Sequence, residues 1–285
     1  MSGMPRSIVF TIRPLTEARV PALLGRAAHA AVLRLIADAD PSLAAQIHDD
    51  DGPKPLTVSH VLGLDARNHA ALVRPDGRYH LRVTLLTPAL ETLATAWQPA
   101  TLPLLDLDGV MWCVEQMTAD PGGHPWAGSA TYETLAHAVL TRSVAPTRWT
   151  FEFVAPVTFR QRGLTQPLPT PALIFGSLLD KWNAFAPLAF PEEVRRFATE
   201  CLAVSRFDLR SRAEPTKGGV PQIGAVGRIT CTAVNRDRYW CACIDALARF
   251  AFYSGIGAGT TRGYGQARLL DADQEGESAS LRGTP

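Results

Sequence analysis

The sequence predicts an α+β fold made of two successive units of strands and helices. Short runs alternate apolar and polar residues with a period of two, as at Ile8, Phe10 and Ile12, a pattern typical of half-buried strands. Longer runs repeat apolar residues at helical spacing, as over residues 22–38. One order of strands and helices recurs in both halves of the chain, which predicts two domains of similar architecture.

The first half of the chain, residues 1–118, predicts the order βαββαβ, which is the ferredoxin-like order. Residues 41–54 are predicted as a turn and a loop. The predicted elements are a strand at 7–13, a helix at 21–38, strands at 55–60 and 79–86, a helix at 88–97 and a strand at 110–115.

The second half, residues 148–270, predicts another ferredoxin-like unit with additional helix. Residues 119–147 are rich in proline and glycine and are predicted as a linker or as an excursion at the edge of a sheet. The acidic residues 271–285 are predicted as a disordered tail. The predicted elements are a strand at 149–156, helices at 171–185 and 191–202, strands at 204–212 and 224–234, a helix at 239–252 and a strand at 265–270.

Composition limits the classes of protein to which the chain could belong. The 285 residues are 46% hydrophobic, and no apolar run reaches the length of a membrane helix. The amino terminus lacks the pattern of a signal peptide, and the five cysteines are scattered, so we expect reduced thiols in the cytoplasm. We expect no membrane partner, metal or cofactor.

The net charge of +1 hides an uneven distribution of charge. Residues 140–270 carry 17 basic and 9 acidic residues, an excess of eight positive charges. Arginine supplies 25 of the 28 basic residues, and its planar guanidinium suits phosphate recognition. This part of the chain is therefore predicted to bind a polyanion, although a solvated surface would have the same composition.

A glycine-rich loop lies between the last predicted helix and the last predicted strand. Its glycines can bring backbone N–H groups close to an anion, and a phosphate is the expected ligand. A turn that needs glycine only for close packing is the alternative. The candidate binding residues are Gly255, Gly257, Gly259, Thr260, Thr261, Arg262, Gly263 and Gly265.

Four segments resemble the Cas6 family of CRISPR endoribonucleases, within the repeat-associated RNA-binding superfamily. The resemblance spans roughly residues 8 to 270. Its motifs are the glycine-rich loop, residues 41–59 (PSLAAQIHDDDGPKPLTVS), residues 153–160 (FVAPVTFR) and residues 171–183 (PALIFGSLLDKWN).

The resemblance implies metal-independent cleavage of CRISPR repeat transcripts. In that reaction the 2′-hydroxyl attacks the adjacent phosphate and leaves a cyclic phosphate and a 5′-hydroxyl. His48 and Lys54 match the family's catalytic histidine and lysine, which would move a proton and stabilise negative charge. The alternative is that His48 caps a helix and Lys54 is a solvated charge.

The chain departs from the family pattern in the first helix. Leu33 stands where members with a full catalytic triad have tyrosine. His29 lies one helical turn earlier on the same face, so it is a third candidate for proton transfer. A histidine half-buried between helix and sheet would have the same position.

The resemblance also implies that the partner is CRISPR repeat RNA (pre-crRNA). Arg206, Arg210 and Arg212 alternate along a predicted strand and are candidate RNA-binding residues. The alternative function is a non-cleaving RNA-binding subunit of a CRISPR effector complex. A small-molecule phosphotransfer enzyme is a third, disfavoured because no lysine lies beside the glycines. Other effector subunits and a second copy of the chain remain open as partners.

Overall fold

A computed structural model describes residues 3–67, 69–141, 143–214 and 221–270, so the predicted tail lies outside the described residues. The chain forms two compact units. The first comprises Met1–Tyr132, Ala184–Pro187 and Gly259–Tyr264, and the second comprises Glu133–Asn183, Leu188–Ala258 and Gly265–Pro285. Within the described ranges, no helix has the length and hydropathy to cross a lipid bilayer.

The first unit contains a main antiparallel sheet in the order β3-β6-β1-β8-β7, and β9 also pairs with β1. The smaller sheet has the order β2-β5-β4. The elements are β1 Arg6–Pro14, β2 Ala18–Pro21, α1 Gly25–Ala39, α2 Pro41–Asp49, β3 Leu56–Val58, β4 Ala66–Arg67, β5 Ala70–Val73, β6 Tyr79–Leu85, α3 Pro88–Ala94, β7 Leu105–Leu107, β8 Val110–Thr118 and β9 Gly128–Ser129.

The period-two pattern of β1 decides which face of this sheet is the core. Ile8, Phe10 and Ile12 are buried in one cluster with Val32 and Ile36 of α1. Successive side chains of a strand point to opposite faces, so Ser7, Val9 and Thr11 lie on the other face. The elements β1, α1, β3, β6, α3 and β8 have the predicted ferredoxin-like order.

The second unit has the antiparallel sheet order β13-β14-β10-β15, which is again ferredoxin-like, and a hairpin of β11 and β12. Phe151 and Phe153 of β10 are fully buried, and Phe151 packs edge-on against Phe175 of α5. The elements are α4 Tyr132–Thr141, β10 Arg148–Val157, β11 Phe159–Gln161, β12 Leu164–Gln166, α5 Pro171–Phe185, α6 Glu193–Glu200, β13 Leu202–Glu214, β14 Gln222–Ala233, α7 Arg238–Ser254 and β15 Ala267–Leu270.

The loop predicted after α1 is wrong, because residues 41–49 form the helix α2. Asp40 caps this helix by accepting a hydrogen bond from the Leu43 N–H, and Pro41 occupies its first turn. The segment predicted as a linker, residues 119–147, holds β9 and α4. The short strands β2, β4, β5 and β7 and the β11–β12 hairpin were not predicted, because runs of two to four residues show little periodicity.

Candidate active site

His48 lies at the carboxyl end of α2, and Lys54 donates hydrogen bonds to carbonyl oxygens at this end. His48 lies in the last turn of the helix and is exposed. The half-buried Lys54 donates hydrogen bonds from Nζ to the carbonyl oxygens of Ile47 at 2.7 Å and His48 at 3.4 Å, and to that of Asp50. Carbonyls at a helix carboxyl end lack partners inside the helix and form its negative pole. Lys54 therefore caps the helix end that carries His48.

His29 of α1 interacts electrostatically with Lys54 and with His48 at the end of α2. Its Nδ1 is buried and has no hydrogen-bond partner among the described residues. Burial, followed by the positive charges of Arg262, Lys54 and His48, lowers the pKa of His29 to about 4. Because burial and nearby cations both disfavour the protonated imidazole, His29 is neutral near pH 7.

Arg262 reaches this site because part of the glycine-rich loop packs in the first unit. Thr260–Arg262 form a 3-10 turn, and the following Gly263 N–H donates to the Val58 carbonyl at 2.9 Å. A Cβ at Gly25 would overlap the Arg262 carbonyl, and a Cβ at Gly263 would lie 2.5 Å from His60 Nε2. These two glycines permit the close approach of the turn to the start of α1.

His60 contacts both the start of α1 and Tyr264, which follows the 3-10 turn. The sequence did not indicate these contacts. Its Nδ1 accepts a hydrogen bond from the Gly25 N–H at 2.9 Å, so His60 satisfies one of the free amides at the start of α1. Its ring lies 6.2 Å from that of Tyr264. Residues 25 and 60 are distant in the sequence, and no local pattern could have predicted this contact.

Most amides of the glycine-rich loop already have acceptors within the protein. Of the eleven N–H groups between Gly255 and Gly265, eight donate to protein oxygens. The three others, those of Gly259, Thr260 and Thr261, have no acceptor in the part of the chain that the structure describes. An amide cradle for phosphate is therefore restricted to the start of the 3-10 turn.

Comparison with known proteins identifies the family of this chain. The family model for the CRISPR-associated endoribonuclease Cas6 matches residues 151–267, and that for the CRISPR Cas6 N-terminal domain matches residues 4–137. The chain belongs to the Cas6 family. No curated protein matches it by sequence.

Solved Cas6 structures match nearly the whole chain. A Cas6 product complex is 28% identical over 94% of this chain and 100% of that chain, with a TM-score of 0.75. A Cas6 substrate mimic complex is 26% identical over 94% of this chain and 99% of that chain, with a TM-score of 0.70. The Cas6 of Thermus thermophilus is 28% identical over 95% of this chain and 100% of that chain, with a TM-score of 0.70.

In this Cas6 family member, Lys181 of α5 holds the first half of the glycine-rich loop. Its buried Nζ donates to the carbonyls of Ser254, Gly255 and Gly257 at 3.0–3.2 Å, and Gly257 N–H donates to Ser177 Oγ at 2.9 Å. Burial lowers the pKa of Lys181 to about 7. The sequence motif contained this lysine, but its three acceptors are set by tertiary structure.

The arginines predicted to bind RNA in this Cas6 family member lie exposed on β13. Arg206 and Arg210 pair with Thr230 and Val226 of β14, and cross-strand partners share one face of a sheet. Arg212 continues the same alternation. Arg228 and Arg268, on neighbouring strands, each lie 2.7 Å from Glu152. The sheet face opposite Phe151 and Phe153 therefore carries a concentration of arginine.

Proposed function

We propose that this Cas6 family member cleaves CRISPR repeat transcripts (pre-crRNA) into guide RNAs by a metal-independent reaction. One observation carries the proposal. The first unit alone brings together an exposed histidine, His48, two cations, Lys54 and Arg262, and the neutral imidazole of His29. Proton transfer and stabilisation of phosphate charge, the two requirements of RNA transesterification, are thereby supplied at one place.

The reaction forms one bond and breaks another at the same phosphorus. The 2′-oxygen of the RNA attacks the adjacent phosphorus as its hydroxyl proton leaves, and the bond from phosphorus to the 5′-oxygen breaks. The proton count balances when the 5′-oxygen gains a proton. We assign to His48 the movement of this proton from the 2′-hydroxyl to the 5′-oxygen, because His48 is exposed and histidine is the side chain that most often serves as a general acid or base.

Lys54 and Arg262 supply the positive charge for the transition state. The positive charge of Lys54 can stabilise a phosphorane while its Nζ caps the end of α2. Arg262 offers a second cation from the 3-10 turn. Such preorganised charges are effective because they need no reorientation during the reaction.

His29 is the secondary candidate for proton transfer. A pKa of about 4 makes it a weak base at neutral pH, which favours His48 for the main step. A phosphate bound beside His29 would oppose the effect of the two cations, Arg262 and Lys54, and raise the pKa of His29. We therefore assign His29 a role only after RNA has bound.

End mapping of RNA fragments tests this proposal. Purified protein is incubated with repeat RNA in EDTA, and a second RNA carries one 2′-deoxynucleotide at the cut position. We expect a 2′,3′-cyclic phosphate and a 5′-hydroxyl from the first RNA and no cleavage of the second. Cleavage that requires a divalent metal or yields a 3′-hydroxyl would refute the mechanism. Tight binding of the first RNA without cleavage would instead support the non-cleaving subunit.

A further inference from the structure

We propose that the face of the first unit's sheet opposite α1 carries a pocket for one nucleobase of the RNA, an inference that rests on the proposed function. The cavity has a volume of about 360 Å³. That volume lies in the usual range for small-molecule sites. Its lining comes from β1, β6, β8, Pro99 and the segment that follows β8.

The floor of this nucleobase pocket is a row of polar side chains across three strands. Thr11 of β1 pairs with His80 of β6 on one side and with Gln116 of β8 on the other. Cross-strand partners share a face, and this face is opposite Ile8, Phe10 and Ile12 of β1. The row presents a hydroxyl, an imidazole and a carboxamide, each able to hydrogen-bond the edge of a base.

Hydrogen bonds within the protein hold the wall of the pocket in place. The ring of His124 lies 4.7 Å from that of His80, and His124 Nδ1 accepts a hydrogen bond from the Trp126 N–H. The Trp126 carbonyl accepts hydrogen bonds from Ser7 Oγ at 2.5 Å and Arg82 Nε at 3.1 Å. The Arg82 guanidinium also lies 4.9 Å from the centre of the indole ring. The wall is therefore preorganised.

The charges in the pocket favour a neutral planar ligand. Burial lowers the pKa of both His80 and His124, so both rings are neutral near pH 7. Glu115 at the rim is paired with Arg13 at 2.8 Å and with Arg78 at 3.8 Å. A phosphate would find no unpaired cation among these lining residues, whereas histidine rings are among those on which RNA bases stack.

A double-mutant cycle between protein and RNA tests the pocket. The protein variants are His80→Ala and, as a matched control, His137→Ala, which removes an exposed histidine from α4. Each protein is titrated with intact repeat RNA and with RNAs that carry one abasic nucleotide at successive positions. Base stacking on an aromatic side chain is worth about 1–3 kcal/mol, so His80→Ala should raise Kd about 5- to 150-fold.

His80→Ala and an abasic nucleotide each raise Kd. The pocket predicts one RNA position at which the combined rise in Kd is smaller than the product of the two separate rises. An abasic nucleotide at that position weakens binding to the wild type but not to His80→Ala. If the two rises in Kd multiply at every RNA position, or if His80→Ala leaves Kd unchanged, the pocket proposal is wrong. Cleavage by the wild type would show that the proposed function still holds. A wild type that does not bind repeat RNA would overturn both proposals. Gln116→Ala, an exposed substitution, repeats the test if His80→Ala does not fold.

Discussion

Two lysines in this protein make the same set of contacts in different surroundings. Lys54 donates to three carbonyls at the end of α2, and Lys181 donates to three carbonyls at the end of α7 and in the loop that follows. Lys54 is half-buried beside the exposed His48, whereas Lys181 is buried.

The difference in burial gives the two lysines different roles, one in catalysis and the other in holding the structure of the loop. An ammonium at a solvent-accessible helix end can interact with a bound phosphate. A buried ammonium is surrounded by its acceptors and acts only on the segment that supplies them. We therefore assign the α2 end to catalysis and the α7 end to shaping the glycine-rich loop.

Removal of His48 should have the largest effect on cleavage. A general acid or base typically contributes about 10²–10⁴-fold to rate, so His48→Ala should reduce single-turnover cleavage on that scale. RNA affinity should change by no more than a few-fold (about 1 kcal/mol). The control His137→Ala should cleave normally. Near-normal cleavage by His48→Ala would move the proton transfer to His29.

The buried lysine should make stability depend on pH. The folded pKa of Lys181 is about 7, below the ordinary 10.5, so between these values the unfolded state binds more protons. The free energy of unfolding should then rise with pH, by at most about 1.4 kcal/mol per pH unit. Below pH 7 this contribution is constant. Chemical denaturation from pH 7 to 10 measures the unfolding free energies of the wild type and Lys181→Met. If the difference between the two does not change with pH, the low pKa of Lys181 is wrong.

Glycines in the two halves of the loop should respond differently to substitution. Gly257 has φ 77°, and a Cβ there would overlap the Thr158 carbonyl, so Gly257→Val should cost about 2 kcal/mol or more of stability. Gly259 has φ 73°, and the atoms nearest to a Cβ there belong to the Tyr264 side chain, at 3.2–3.4 Å. Gly259→Val should therefore cost less stability than Gly257→Val, about 1–2 kcal/mol from backbone strain, and it should weaken RNA binding. Urea unfolding and RNA titration of both variants decide this, and equal stability would contradict it.

The arginines of β13 should give the smallest effect. Affinity for repeat RNA should fall as salt increases, because bound phosphates release counterions. Arg210→Ala should reduce the slope of log K against log salt by about 1 without changing cleavage at saturating protein. Titrations at several salt concentrations measure the slope. An affinity independent of salt would argue against an arginine-rich RNA surface.

Much of the fold could be predicted from periodicity and from helix boundary residues. The helix α5 begins and ends where the sequence predicts, because Pro171 fixes its start and apolar spacing continues to Phe185. The helix α2 was missed although Asp40 and Pro41 signalled its start. Its nine residues show too little periodicity to outweigh the neighbouring turn residues.

The site could be predicted only in part. Sequence motifs indicated His48 and Lys54 as candidate catalytic residues and Arg262 as a candidate RNA-binding residue, but their nearness to His29 arises from contacts between residues far apart in the chain. The hydrogen bond between Gly25 and His60 also joins residues that are far apart in the sequence. Local patterns specify elements, whereas the packing of a glycine-rich turn against a distant helix depends on the whole fold.

Matched substitutions of the two lysines test the account most directly. Lys54→Met and Lys181→Met are each measured for unfolding free energy and for single-turnover cleavage at saturating protein. Lys54→Met should cut cleavage about tenfold or more and cost less than about 1 kcal/mol of stability, because water can replace its contacts. Lys181→Met should cost about 2 kcal/mol and leave cleavage within about threefold, because buried carbonyls lose their donor. The reverse pattern, or equal effects of both substitutions on cleavage, would contradict the account.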